Sequence, residues 1–269
     1  MNTYEAIFTR KSVRSYQMEA IPAEVLDEII EYYIGIRSIF AGIETEVAVL
    51  DNHVHSRRYG IPGIRAPYYL AIYSERKDRA MMNAGYIMEQ ISLYLTTRGI
   101  GSCFFGSAMV PRALREKNGK QLIIFMAFGK AKDGCSRERG EARRLPLERI
   151  CAGKEQPKQW AIQLLEAARM APSSMNSQPW RFVIRDNRIH VFAVDGGSRR
   201  GKYREFNFGV MFSHLMTAAE ELWQDVDLIR LEDISQKNFK NSEYVLSVIP
   251  SVRDRSLSSE ERGRNCTGI

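Results

Sequence analysis

Cysteine is scarce in this sequence, with four in 269 residues: Cys103, Cys135, Cys151 and Cys266. None forms a C-x-x-C pair, and His53 and His55 have no cysteine beside them, so neither a disulfide framework nor a metal site is expected. Long apolar runs are also missing. No stretch approaches the roughly eighteen residues that suggest a membrane span, so no membrane partner is expected. The opening Met1-Asn2-Thr3-Tyr4-Glu5 lacks the basic-then-apolar pattern of a signal peptide, and the expected compartment is the cytoplasm. No histidine or carboxylate pair stands out as an acid/base couple.

What is present is a chain able to bury a core, at 44% hydrophobic residues, in one large domain or two intimate lobes. The net charge of +7 fits a basic pocket for an anionic ligand as well as it fits a polyanion-binding surface. The densest basic segment holds Arg137, Arg139, Arg143, Arg144 and Arg149. Three glutamates and a proline interrupt it, and it has no aromatic residue for base stacking, so nucleic acid is not expected as a partner.

One pattern is written twice. Pro22 begins an amphipathic helix through Val25, Leu26, Ile29, Ile30, Tyr33 and Ile34, followed by a strand ending in Asp51-Asn52. Pro157 begins a helix with Trp160, Ala161, Leu164, Leu165 and Ala168, followed by Phe182-Val183-Ile184-Arg185 and the turn formers Asp186-Asn187. A strand over Tyr68–Tyr73 then leads to a long helix opened by Asn83-Ala84-Gly85. Its counterpart is Ile189–Val194, followed by Asn207-Phe208-Gly209. Both long helices are apolar on more than one face, which marks them as central. The halves differ in what else they carry. Only the first has Lys11-Ser12-Val13-Arg14 and the segment Gly99 to Gly106, then a short helix from Pro111 and a strand from Gln121 to Phe128. Only the second has Pro172-Ser173-Ser174-Met175-Asn176. The expected limits are 1–153 for the first half, 154–250 for the second and 251–269 for a polar tail without periodicity.

Three segments are candidates for chemistry. Arg10-Lys11-Ser12-Val13-Arg14 gathers a planar guanidinium fork, a point charge and a hydroxyl, a suitable phosphate clamp, although a solvated basic turn would look the same. Pro172 ends a helix, and Ser173, Ser174, Asn176 and Gln178 supply donors and acceptors for the edge of a flat heterocycle. A connection rich in turn formers is the alternative there. Gly99-Ile100-Gly101-Ser102-Cys103-Phe104-Phe105-Gly106 fails the dinucleotide fingerprint, because Phe104 stands at the third glycine and the segment follows a helix. It reads either as a loop letting backbone N–H groups approach a ring or as a helix C-cap followed by a tight turn.

Together these segments resemble the FMN-dependent nitroreductase family, in its branch with two fused half-subunits. The motifs occur in the expected order: Arg10 to Arg14, the APSSMNSQPW segment at 171–180, the NAGYIMEQ helix running into GIGSCFFG, and Arg143-Arg144-Leu145-Pro146. The resemblance covers most of Tyr4 to Val248. It implies a nitroreductase-like α+β fold, with two related α/β halves forming an intramolecular pseudo-dimer around central long helices. It also implies that Arg10, Lys11, Ser12, Arg14, Arg143 and Arg144 hold the FMN phosphate, and that Pro172, Ser173, Ser174 and Asn176 border the isoalloxazine. Gly106 or Ser107 is implied to place a backbone N–H near flavin N5. Phe104 and Phe105 stand where the family often has a tryptophan and an aliphatic residue.

Because the phosphate motif lies in one half and the Pro-Ser-Ser loop in the other, one complete FMN site per chain is expected. The implied activity is electron transfer from NADH or NADPH through FMN to a small oxidised acceptor, nitroaromatic or quinone-like. A flavin-binding protein for storage or sensing is the alternative. The fused halves predict a monomer, with a homodimer as the other arrangement.

Overall fold

The computed structural model describes residues 1–54, 63–106, 110–153, 157–194, 201–235 and 242–251. Helix α1 (Thr3–Thr9) and helix α2 (Ala23–Gly35) precede strands β1 (Thr45–Asp51) and β2 (Tyr68–Ser74). Helix α3 (Ala80–Thr97), β3 (Gly101–Phe105), β4 (Glu116–Lys117) and β5 (Lys120–Gly129) follow. After α4 (Leu147–Ile150) and β6 (Cys151–Ala152) come α5 (Gln159–Arg169), β7 (Trp180–Arg185) and β8 (Arg188–Val194). The described chain closes with α6 (Arg204–Glu221), β9 (Val226–Ile229), α7 (Glu232–Ser235) and β10 (Ser242–Pro250).

The first sheet runs β1-β2-β5-β3, with β4 folded back on β5, and every pairing in it is antiparallel. The second runs β7-β8-β10-β9, antiparallel throughout, with β6 added in parallel beyond β7. The two orders are therefore the same: strand, strand, long helix, edge strand, then a strand inserted between the second and the edge. This is the α+β arrangement of two related halves expected from the sequence. The short β6 precedes the second half in the chain yet pairs within the second sheet.

Between the sheets lie α3 and α6, each 18 residues long and packed against one another. The contact is close because each helix presents glycine at its sixth position. A Cβ on Gly209 would fall on the Met82 carbonyl and 2.7 Å from the Tyr86 nitrogen, and one on Gly85 would meet the Phe206 carbonyl. Helix α6 also packs on α5, and α1 on α3, so the main core joins the inner faces of both sheets. A second apolar cluster, with Tyr69, Phe105 and Phe125, covers the outer face of the first sheet. No helix among the described residues is long and apolar enough to cross a membrane.

Several local markers act differently from their sequence reading. Pro22 is the N-cap of α2 rather than its first residue, and α5 starts after Lys158, with Pro157 outside it. Ile34, placed on the apolar face of α2, is exposed. Asp186 and Asn187 do make a tight turn, both with positive φ (51° and 55°), joining β7 to β8. Asn52 does not. It is buried, and its side-chain amide donates to the Ala66 carbonyl at 2.8 Å, closing a longer connection. The segment Gly99 to Gly106 is mostly strand β3. Gly99 (φ 73°) follows the C-cap of α3, the ordinary left-handed use of glycine. The helix expected from Pro111 is a single 3-10 turn, Arg112–Leu114.

Candidate functional site

The basic motif is held rigidly at its backbone. A capping box between Asn2 and Glu5 starts α1, which ends at Thr9 and delivers Arg10 into an extended segment. That segment lies along β3: Ser12 bridges Ser102, the Val13 N–H donates to the Ser102 carbonyl at 2.9 Å, and Arg10 bridges Ser136 on the other side. Gly101 is needed here, because a Cβ would sit 2.6 Å from a Val13 methyl. The buried Tyr16 hydroxyl donates to the Val13 carbonyl at 2.6 Å and fixes the turn out of the motif. Lys11 Nζ donates to the Asp133 carbonyl at 2.8 Å.

The Pro172 loop is strained and tied down. Met175, Asn176 and Gln178 all adopt positive φ (54°, 54° and 43°), which Asn tolerates better than Met or Gln. Its bonds explain how this conformation persists. The Asn176 amide donates to the Arg143 carbonyl and its oxygen accepts from Arg144 Nη1, both at 2.9 Å. Gln178, which is buried, accepts from the Leu145 N–H at 2.7 Å, and its own N–H donates to Ser173 Oγ at 2.9 Å. The Ser174 N–H donates to the Asn207 side chain of α6 at 3.0 Å. Asn176 and Gln178 thus tie the loop to the 143–145 segment, and Asn176 still lines the cleft described below.

These segments meet at a cleft of about 440 Å³, within the range of small-molecule sites. Arg10, Lys11, Ser12 and Arg14 form one wall, Arg137, Glu141, Arg143 and Arg144 the second, and Pro172, Ser173, Met175 and Asn176 the third. Six cations face one lining carboxylate. The crowding shows in the arginines themselves. Burial, then the charges of Arg137 and Arg10, push the Arg144 guanidinium down to about 10, and burial and Arg10 lower Arg137. Arg10 is only 2% exposed, and its Nε and Nη2, with the Nε of Arg137, are buried without a hydrogen-bond partner among the described residues. Glu89 of α3 lies 3.5 Å from Arg10 Nε, close enough for an ion pair but too poorly aimed for a hydrogen bond. Unpaired buried donors of this kind are costly, and a negative charge in the cleft would offset the charge that they carry.

Of the residues singled out in the sequence, Arg10, Lys11, Ser12, Arg14, Arg143, Arg144, Pro172, Ser173 and Asn176 come together here, and Ser174 lies just behind, on Asn207. Phe104, Phe105 and Gly106 are outside the lining. Phe104 packs edge-on against Phe206 at 5.3 Å, and Phe105 belongs to the outer-face cluster. A Cβ on Gly106 would lie 3.0 Å from the Tyr203 ring, so this glycine already receives an aromatic ring from the second half. Ser107 lies outside the described residues. Arg137, Glu141 and Met175 line the cleft without having been singled out for it. Arg137 was visible as part of the basic segment, but nothing in its spacing separated it from Arg139, whose guanidinium lies over the Phe8 ring. The described residues hold no group of three metal-ligating side chains.

Fold and cleft together define an α+β protein with two related halves and a cation-lined cleft to which both contribute. The family model described as "Putative TM nitroreductase" matches residues 2–219, and the chain belongs to that family. A putative nitroreductase from Thermotoga maritima MSB8 superposes with a TM-score of 0.61 at 20% identity, over 93% of this chain and 94% of that one. A nitroreductase family protein from Clostridium difficile 630 gives 0.47 at 18% identity, over 58% of this chain and all (100%) of that one. A nitroreductase with bound FMN from Bacteroides fragilis NCTC 9343 gives 0.42 at 20% identity, over 49% and 90%. The first of these likenesses is close enough to establish a shared fold. No curated protein matches the chain.

Proposed function

We propose that the cleft holds FMN and that the protein is an FMN-dependent oxidoreductase, taking electrons from NADH or NADPH and passing them to a small oxidised acceptor. The observation that carries this reading is the set of buried, unpartnered guanidinium donors of Arg10 and Arg137 at a cleft whose walls come from both halves. The donor set suits a phosphate monoester. Arg10, Arg14, Arg137 and Arg144 supply charge, and Lys11 and Ser12 supply a point charge and a hydroxyl. Pro172, Ser173, Ser174 and Asn176 are assigned to the border of the ring system, with Gly106, Ser107, Phe104 and Phe105 toward its far side. When bound, FMN supplies hydride and single-electron chemistry that no side chain here can supply. The chain's own part is to fix the phosphate, to set positive charge beside the site and to hold the Pro172 loop rigid through Arg143 and Arg144.

On this reading the halves form an intramolecular pseudo-dimer with one composite site, and the protein acts as a monomer in the cytoplasm. Reconstitution with FMN should give one flavin per chain by absorbance against protein concentration; two per chain, or none, would sink the reading. Anaerobic stopped-flow mixing with NADH and NADPH then separates a reductase, whose flavin bleaches, from a protein that merely stores or senses FMN.

A further inference from the structure

We infer that His214, from the second half, acts as a positioning residue that cancels the countercharge of Arg10 and so makes that arginine available to an anion in the cleft. The inference rests on the anion-site reading above. His214 and Glu89 are both 0% exposed at the centre of the molecule, one on α6 and the other on α3. The His214 Nδ1 lies 3.1 Å from the Ala167 carbonyl of α5, which can only accept, so Nδ1 carries a hydrogen. Nε2 lies 2.7 Å from Glu89 Oε1. A carboxylate oxygen and a bare imidazole nitrogen would repel at that distance, so a proton lies between them. Whether it is drawn on the ring or on the carboxyl, the Glu89–His214 unit is neutral as a whole.

This changes the account of Arg10. By distance alone, Arg10 and Glu89 form a buried ion pair that would cancel within itself. With Glu89 already balanced by His214, the Arg10 charge is left over, and its Nε and Nη2 have no hydrogen-bond partner among the described residues. The neighbouring charges on Arg137 and Arg144 cannot balance it, because they have the same sign, and Glu141, the one lining carboxylate, acts on Arg137 and is outnumbered by six lining cations. The surplus is therefore directed at the cleft. The charge state of a phosphate wall in the first half is set by an imidazole from the second.

The test is a charge-rescue series on the full chain: His214→Gln, Glu89→Gln and the double variant, each checked by thermal unfolding. His214→Gln keeps a donor toward Glu89 but cannot carry the proton's charge. FMN affinity, read by flavin fluorescence, should fall on the order of ten-fold or more in His214→Gln, because the carboxylate then cancels Arg10. It should stay at or above wild type in Glu89→Gln and return to within about three-fold of wild type in the double variant. Unchanged affinity in His214→Gln, or a double variant as weak as it, overturns the inference. Should His214→Gln fail to fold, Glu89→Gln decides: a ten-fold loss would mean that Glu89 merely orients Arg10. The same series titrated with inorganic phosphate, read as the rise in Tm, separates the two readings. If wild type takes up no FMN but the phosphate response keeps this order, the cofactor assignment fails and the charge inference stands. A flat phosphate response removes it.

Discussion

Replacing Gly209 with alanine should unlock the centre of the molecule. The new methyl would lie 2.7 Å from the Tyr86 nitrogen, where ordinary contact begins at 3.4 Å, so the two helices must part by at least about 0.7 Å locally. The Met82 carbonyl is nearer still, and both opposing groups are backbone, which cannot rotate away. A gap of ~0.5–1 Å forfeits about a quarter to a half of the dispersion energy of the contacts it opens. Overfilling a packed core costs ~1–3 kcal/mol, and rigid backbone places this site at the upper end. Alanine returns about 1 kcal/mol through its higher helix propensity, leaving a net loss of about 2 kcal/mol. For a chain of this size that lowers Tm by roughly 4–8 °C. Gly35→Ala is the matched control, since nothing lies within 4 Å of its Cβ position, and it should gain about 0.5 kcal/mol. Differential scanning calorimetry of both variants beside wild type makes the comparison. A Gly209→Ala protein that melts at or above wild type would refute the close helix crossing and the shared framework built on it.

Arg144→Ala should weaken FMN retention by about ten-fold or more and loosen the Pro172 loop, because one guanidinium serves the Met170 carbonyl and Asn176 as well as the cleft. Equilibrium dialysis and limited proteolysis around Met175 would check this, and unchanged retention would remove Arg144 from the site. Burial, followed by the Arg188 charge, holds His190 below its ordinary 6.5, while its ring bonds Ser247 at 2.7 Å. The unfolded chain therefore binds this proton more readily, so the contribution to stability is complete above pH 6.5 and is lost as pH falls through that value toward the folded one. Urea midpoints between pH 8 and 5 should fall in wild type and flatten in His190→Gln; parallel curves would contradict the assignment.

The duplication was legible because its markers are backbone devices. Glycine at the sixth position of α3 and of α6 answers to a helix crossing, and Asp186-Asn187 answers to a turn with positive φ. The cationic wall was legible because its residues are contiguous in the chain. The rest depended on contacts that sequence spacing does not encode. Asn52 resembles Asn187 but bonds Ala66 across a long connection, and Gly101 reads as a ligand-approach glycine while its neighbour is Val13. Gln178 is a donor and acceptor in any inventory, yet it closes on Leu145. Glu89 and His214 are remote in the chain and lie on helices that read as apolar, so their pairing appears only when α3 and α6 are docked.

The cleft also sets the order in which the protein becomes competent. Its walls are drawn from residues 10–14, 137–144 and 172–176, and the third wall is fastened to α6 through Asn207. No local hairpin or single half contains it, so loop-closure entropy must be overcome along most of the chain before the first arginine finds its neighbours. Completion of the cleft is thus a late event in folding. A chain released before α6 is complete can assemble its first sheet and its six cations and still lack both the Asn207 anchor of the third wall and the His214 partner of Glu89. Ligand uptake during refolding would accordingly report docking of the two halves rather than collapse of either.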